Sequence, residues 1–261
     1  MVSEPDVPTK KTTMSSLAAE QETAAKPAAT AEAAVTEGLK DLSVATPDAP
    51  LSESWLDLMT FHVKNIKLTS DGEIPTKQWL DCFCDRADKC YDVLFGGGIM
   101  AGQLKGDINN SLTTVKKQYE ANPEAFVTIE KMIATEVKVR GKKECFKDKT
   151  SACIGQLWTY RAMNFLCTYM EHLIEGLTPS ECGKQTYKEV LQMYHGFFAR
   201  TAVGNMMGWC PSREDMIKSF KFKTNEEMVT ASKRYIAVLR PLLNQAIAIM
   251  DKNGVNFPDK V

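Results

Sequence analysis

The stretch from Ser151 to Gly176 limits the fold more than any other. Ile154, Leu157, Trp158, Met163, Phe165, Leu166 and Leu173 are spread around almost the whole circumference of a helix. A helix apolar on most sides has no face to offer water, so it belongs at the centre of a domain with other helices packed round it. Gly176 and then Pro179 end it. No apolar run in the chain approaches the ~18 residues that a membrane span requires, so this segment reads as core.

The other segments repeat their apolar residues at helical spacing and so can supply that packing. Ser52 and Ser54 offer caps ahead of Leu56, Met59 and Val63, and a polar connector covers residues 64–74. Pro75 opens a helix predicted to run through Trp79, Phe83, Ala87, Tyr91 and Leu94. Gly96, Gly97, Gly98 and Gly102 are expected to allow a turn and a close helix approach before a helix that starts near Asp107. Asn122-Pro123 is expected to cap a helix through Phe126, Ile129, Ile133 and Val137, ending near Gly141, with a basic connector (Lys142, Lys143, Lys147, Lys149) behind it. One helix is predicted from Gln185 to Trp209. Ser212 caps the next, and a last long helix runs from Glu226 to Met250, bent at Pro241. No segment alternates as a strand does, so the fold class is all-α, without internal repeats.

Residues 1–50 have a different composition. They are rich in Ala, Glu, Thr, Pro, Ser and Lys, without an aromatic residue, and are expected to be a disordered extension ahead of a helical domain at 51–261. They lack arginine and contain acids, which disfavours a mitochondrial presequence.

Charge and cysteine usage exclude several functions. With 32 Lys+Arg against 33 Asp+Glu the chain has no basic excess, which argues against nucleic acid as a partner. The 8 cysteines lie in helical segments with no secretory signal ahead of them, so free thiols in the cytosol are expected. There is no Cys-x-x-Cys or His-x-x-x-His pattern, and His62, His172 and His195 are far apart, so neither a metal site nor another cofactor is expected.

Three places can carry recognition. Counting helically from Asp107, Ser111 is i+4 and Thr114 is i+7, so these three share a face, with Asn110 and Lys117 beside it. Ile108, Leu112 and Val115 take the opposite side. This polar row is either a headgroup site or a solvated surface. Trp158, with Arg161 a turn later, is either a flat platform for the C–H face of a sugar or a core indole. His195, in Tyr194-His-Gly-Phe-Phe198, is either a donor to a buried carbonyl or a satisfied core histidine. No nucleophile is paired with a base and an orienting group, so an enzyme is not expected.

Several ordered pieces resemble the glycolipid transfer protein family. These are Leu104-Lys-Gly-Asp107-Ile, Tyr119-Glu-Ala-Asn-Pro123-Glu-Ala-Phe126, Leu157-Trp158-Thr-Tyr-Arg161, Met193-Tyr-His195-Gly-Phe and the tail Asn256-Phe257. The resemblance covers Pro75 to Val261. It implies a two-layer helical sandwich around an apolar pocket, and a soluble shuttle that moves glycosphingolipids or other ceramide-based lipids between membranes through transient peripheral contact, without a cofactor. By resemblance Asp107 accepts from the ceramide amide and headgroup hydroxyls, Trp158 stacks the sugar, and His195 donates to the ceramide carbonyl. Arg161 falls on a basic position of the family and supports the site. Phe197 stands where the type member has a membrane-touching Trp. The family's sugar-binding members have Asn four residues after the acid and Lys seven after it. Here Ser111 and Thr114 stand there, with Asn110 and Lys117 as neighbouring substitutes. The ceramide-phosphate branch has Arg at the Trp158 position, so the resemblance favours a sugar. A lipid sensor or adaptor working through a protein partner on residues 1–50 stays open as an alternative, as does a scaffold with a decayed site.

Overall fold

A computed structural model describes residues 49–258, apart from the side chains of Asn205 and Met206. The disorder expected for residues 1–50 falls almost wholly outside the described part. The helices form a two-layer sandwich. In chain order they are α1 (Trp55–Lys64), α2 (Thr76–Phe83), α3 (Lys89–Phe95), α4 (Gly98–Ala121), α5 (Ile129–Arg140), α6 (Lys142–Lys147), α7 (Ala152–Ile174), α8 (Pro179–Thr186), α9 (Phe197–Met206), α10 (Arg213–Ser219) and α11 (Asn225–Asn253). No described helix is long and apolar enough to cross a membrane.

The apolar helix predicted from residue 151 is α7, capped by Ser151, and it packs along both α4 and α11. Leu157, Met163, Phe165 and Leu166 are fully buried on it. Arg240 of α11 ties the two helices with a bidentate grip on Glu171 (2.7 Å to each oxygen) and a 2.5 Å bond to Asn164 Oδ1. Arg234, also on α11, pairs with the buried Asp57 of α1 at 2.7 Å. Arg213 donates to the Leu173 carbonyl in the last turn of α7 and to the Leu177 carbonyl just beyond it. α11 continues through Pro241.

Five expectations from the local pattern fail, the first two because tertiary contacts override it. The helix predicted from Pro75 to Leu94 is two helices. Asp85 adopts φ 62° between them, and the Trp55 indole takes the Arg86 carbonyl at 2.8 Å. Helix α5 starts at Ile129 and not at Asn122-Pro123, because residues 127–129 first pair with 74–76 (Thr76 N to Val127 O 3.0 Å, Ile129 N to Ile74 O 2.9 Å). Thr128 then caps α5. The basic connector after Gly141 is mostly the short helix α6. Asp107 does not sit in a first turn. Gly96, Gly97 and Gly98 make the turn at positive φ, and α4 runs straight on through Gly102 and Gly106.

The largest departure lies between Gln185 and Trp209. There α8 widens into a π turn (Tyr187–Leu191), tightens to a 3₁₀ turn (Gln192–Tyr194) and breaks at His195, whose backbone is extended. His172 of α7 reaches Glu189 in the π turn at 2.9 Å. Arg200 of α9 spans the break, donating to the carbonyls of Gln192 (2.9 Å) and His195 (2.8 Å). His195 is therefore presented by a clamped break and not by a helical face.

Candidate functional site

A cavity of about 500 Å³ opens where α4 and α7 meet the broken 191–207 segment. Much of its lining is apolar, with Met100, Leu104 and Ile108 from α4, Phe165 from α7, and Leu191, Val203 and Met207 from the 191–207 segment. Polar groups also line it. They include Gln103, Asp107, Asn110, Ser111, Trp158 and His195, so distant parts of the chain bring polar candidates to one place.

Asp107 is exposed, and Gln103 Nε2 donates to its Oδ1 at 2.9 Å. Partial desolvation pushes its carboxyl above the ordinary value, against the opposing pull of the Gln103 bond and of His195. His195 shifts downward. Burial is the main cause, helped by the nearby charges of Arg161 and Arg200 and opposed by Asp107. At neutral pH its imidazole is uncharged. The Tyr187 hydroxyl lies 2.8 Å from Nδ1. When that hydroxyl donates, Nδ1 is an acceptor and the proton resides on Nε2. The imidazole lies nearly parallel to the Trp158 indole, 15° between planes and 6.4 Å between centroids.

The hydroxyls of the polar row are committed to their own helix. Ser111 Oγ donates to the Asp107 carbonyl at 2.8 Å and Thr114 Oγ1 to the Asn110 carbonyl at 2.9 Å. Both keep lone pairs to accept a bond, and neither has a proton left to give. Lys117 is exposed and lines neither this cavity nor the one beside it.

A second cavity, of about 430 Å³, shares Asn110, Ser111, Lys149 and Trp158 with the first. Thr114, Phe146, Lys147, Gly155, Arg161 and Phe257 complete most of its wall. The Phe257 ring packs on Phe146 with centroids 5.0 Å apart, and its carbonyl accepts from Arg161.

Sequence reasoning missed Tyr187, Gln103, Lys149 and Gly155. Gln103 was within reach, four residues before Asp107 on the same face. Tyr187 was not, because the π and 3₁₀ turns between it and His195 break the helical count.

One described group can be considered for a metal. Glu136, Cys145 and Cys153 bring ligand atoms within 4.8 Å of one another, all buried. Glu136 Oε2 is already used, accepting from Ser151 Oγ and the Cys153 amide at 2.8 Å each, which caps α7. Burial pushes both thiols up and keeps them protonated. Glu136 thus caps α7 within the core, with the two thiols packed beside it.

Comparison with known proteins agrees with this architecture. The glycolipid transfer protein (GLTP) family model matches residues 74–222. Pleckstrin homology domain-containing family A member 8 of Rattus norvegicus is 24% identical over 220 residues, 80% of this chain and 41% of that protein. The chain thus spans about two-fifths of that relative's length. Glycolipid transfer protein 1 of Arabidopsis thaliana is 28% identical over 156 residues, 59% of this chain and 71% of the relative. Among solved structures, the GLTP fold with which FAPP2 selects simple glycosphingolipids superposes with a TM-score of 0.70 at 20% identity, covering 80% of this chain and all of that one. Human ceramide-1-phosphate transfer protein, solved with 12:0 ceramide-1-phosphate, gives 0.67 at 15% identity, covering 79% and 99%. With more than half its length matched by the family model, the chain belongs to the glycolipid transfer protein family.

Proposed function

We propose that this protein binds a glycosphingolipid in the 500 Å³ cavity and carries it between membrane surfaces. The observation that bears this reading is the placement of Asp107, His195 and Trp158 on one cavity with a largely apolar lining. Each chain methylene moved from membrane to water costs about 0.8 kcal/mol, so two long chains cost roughly 20 kcal/mol or more. An apolar cavity offsets most of that cost. A buried amide N–H and carbonyl still need partners. In this reading Asp107 accepts from the amide, Nε2 of His195 donates to the carbonyl, and the Trp158 indole stacks the sugar. Asn110 and Ser111 border the headgroup, while Lys117 lines neither cavity.

Loading requires contact with a bilayer. Phe197 (78% exposed), Phe198 (87%) and Trp209 (70%) bracket α9, and Ile99 (88%) precedes the cavity-lining Met100. Large apolar side chains left in water beside a cavity entrance suit shallow insertion between lipids. Trp209 brings the interfacial indole that Phe197 lacks. The eight free cysteines suit a reducing cytosol. Binding and release suffice for transfer, so the mechanism includes no bond-making step.

The test is mass spectrometry of lipid retained by the full chain purified from a eukaryotic host. Glycosylceramides are expected. Recovery of glycerophospholipid alone contradicts a sphingolipid site, and recovery of ceramide phosphate alone contradicts the sugar platform.

A further inference from the structure

Arg161 is a buried cation with no anionic partner among the described residues. It is 2% exposed, its Nε has no hydrogen-bond partner, and no described carboxylate pairs with it. Its guanidinium carbon lies 3.4 Å from the Tyr194 ring centroid and 4.8 Å from that of Trp158, and Nη2 donates to the Phe257 carbonyl. The rings offset part of the lost hydration, but a guanidinium stays charged whatever its surroundings. Burial is the main influence on it and works against the charge. An uncompensated charge in such a place calls for a counter-ion.

The 430 Å³ cavity that Arg161 lines is largely apolar, and two exposed lysines join Arg161 on it. Lys147 and Lys149 stand on its wall, and no acidic residue does among the described residues. Lys149 has no ion pair among the described residues. Lys147 has only a loose, exposed contact with Glu144 at 3.8 Å. Asp107 lines the other cavity and not this one. Trp158 belongs to both. A sugar stacked on Trp158 from the first cavity therefore has its substituents within reach of the second. A neutral sugar does nothing for three cations, whereas an anion on that sugar pairs with them through charge-assisted hydrogen bonds.

We propose that the protein selects an acidic glycosphingolipid, with the sugar on Trp158 and a sulfate-type anionic substituent held by Lys147, Lys149 and Arg161. This rests on the lipid-transfer reading above. It differs from a ceramide phosphate site, where the anion sits directly on the ceramide and the indole has nothing to stack.

The experiment uses the full chain and phosphatidylcholine donor vesicles carrying 3-O-sulfogalactosylceramide, galactosylceramide or ceramide phosphate, in low and high salt. The sulfated lipid is expected to move about tenfold faster than its neutral parent in low salt, equivalent to ~1.4 kcal/mol, with the ratio shrinking as salt rises. Lys147→Gln with Lys149→Gln should bring the ratio near one, and Lys→Arg at both positions should preserve it. A ratio near one in the wild type, or a preference that survives the double Gln change, overturns the proposal. Faster transfer of ceramide phosphate than of either glycolipid overturns the sugar-borne placement. Calorimetric binding of inorganic sulfate as tight as that of the sulfated lipid assigns the cavity to a free anion and also overturns it. Brisk transfer of the neutral glycolipid with no preference defeats this inference alone, whereas failure to move any of the three defeats the transfer reading beneath it.

Discussion

A β-carbon placed on Gly155 falls 2.9 Å from the carbonyl oxygen of Ser111, and 3.1 Å from both Thr114 Cβ and Val115 Cγ2. That contact lets α7 lie against α4 along the wall of the second cavity. Gly102, the glycine expected to allow a close approach, meets nothing within 4 Å.

Opposite outcomes are expected for two alanine substitutions. Gly155→Ala must push α4 and α7 apart and should cost about 1–3 kcal/mol. Gly102→Ala, on an exposed helical position in open space, should gain about 0.5–1 kcal/mol from reduced chain entropy. Urea unfolding of both variants checks this, and equal effects would contradict the packing.

Tyr187→Phe should loosen the histidine without disturbing the cavity's shape. Tyr187 is buried, and among the described residues its hydroxyl bonds only to His195 Nδ1. Losing one such bond is worth about 0.5–1.5 kcal/mol, so lipid affinity should fall by roughly two- to tenfold. Nitrogen NMR of the ring is the more direct check. The wild type should show the Nε2–H tautomer and the variant a mixture. A wild-type ring protonated on Nδ1 would remove His195 as the carbonyl donor.

The pH dependence of stability has a definite sign. The native state holds the His195 proton less readily than the unfolded chain does, because of burial and then Arg161 and Arg200. Its contribution is therefore complete above an unfolded value of about 6.5 and is lost as pH falls through the lowered native value. His62 acts in the same direction through burial and Arg86. Asp107 has the opposite sign. Its raised carboxyl contributes below the ordinary carboxylate value and loses that contribution as pH rises through the native one. Thermal midpoints should drop between about pH 7.5 and pH 5.5. His195→Asn should flatten that drop while leaving the His62 share. An unchanged slope would contradict the desolvation of His195.

The parts visible in the sequence were those with strong local signals. The apolar circumference from Ile154 to Leu173 located α7 almost to the residue, and caps such as Ser54 and Ser212 marked helix starts correctly. Where a distant side chain takes a backbone group, the pattern misled. The Trp55 indole on the Arg86 carbonyl splits a predicted helix, and Arg200 holds open the break at His195. The polar row on α4 was readable as a face, but the return of the Ser111 and Thr114 hydroxyls to their own backbone was not. Nor was the convergence of Lys147, Lys149 and Arg161, since two of these lie in a segment read as a connector and the first of them in fact falls on α6.

The most direct test is protein-mediated transfer of fluorescent glycosylceramide between vesicles, comparing the wild type with Asp107→Val. Asp107 is exposed, so the substitution should leave the helical circular dichroism and thermal midpoint nearly unchanged. The lipid amide would then be buried without an acceptor, a loss of about 1–3 kcal/mol or more. Wild-type transfer with its near-abolition in Asp107→Val is the predicted result, and equal transfer by the two proteins, or none by the wild type, would contradict it.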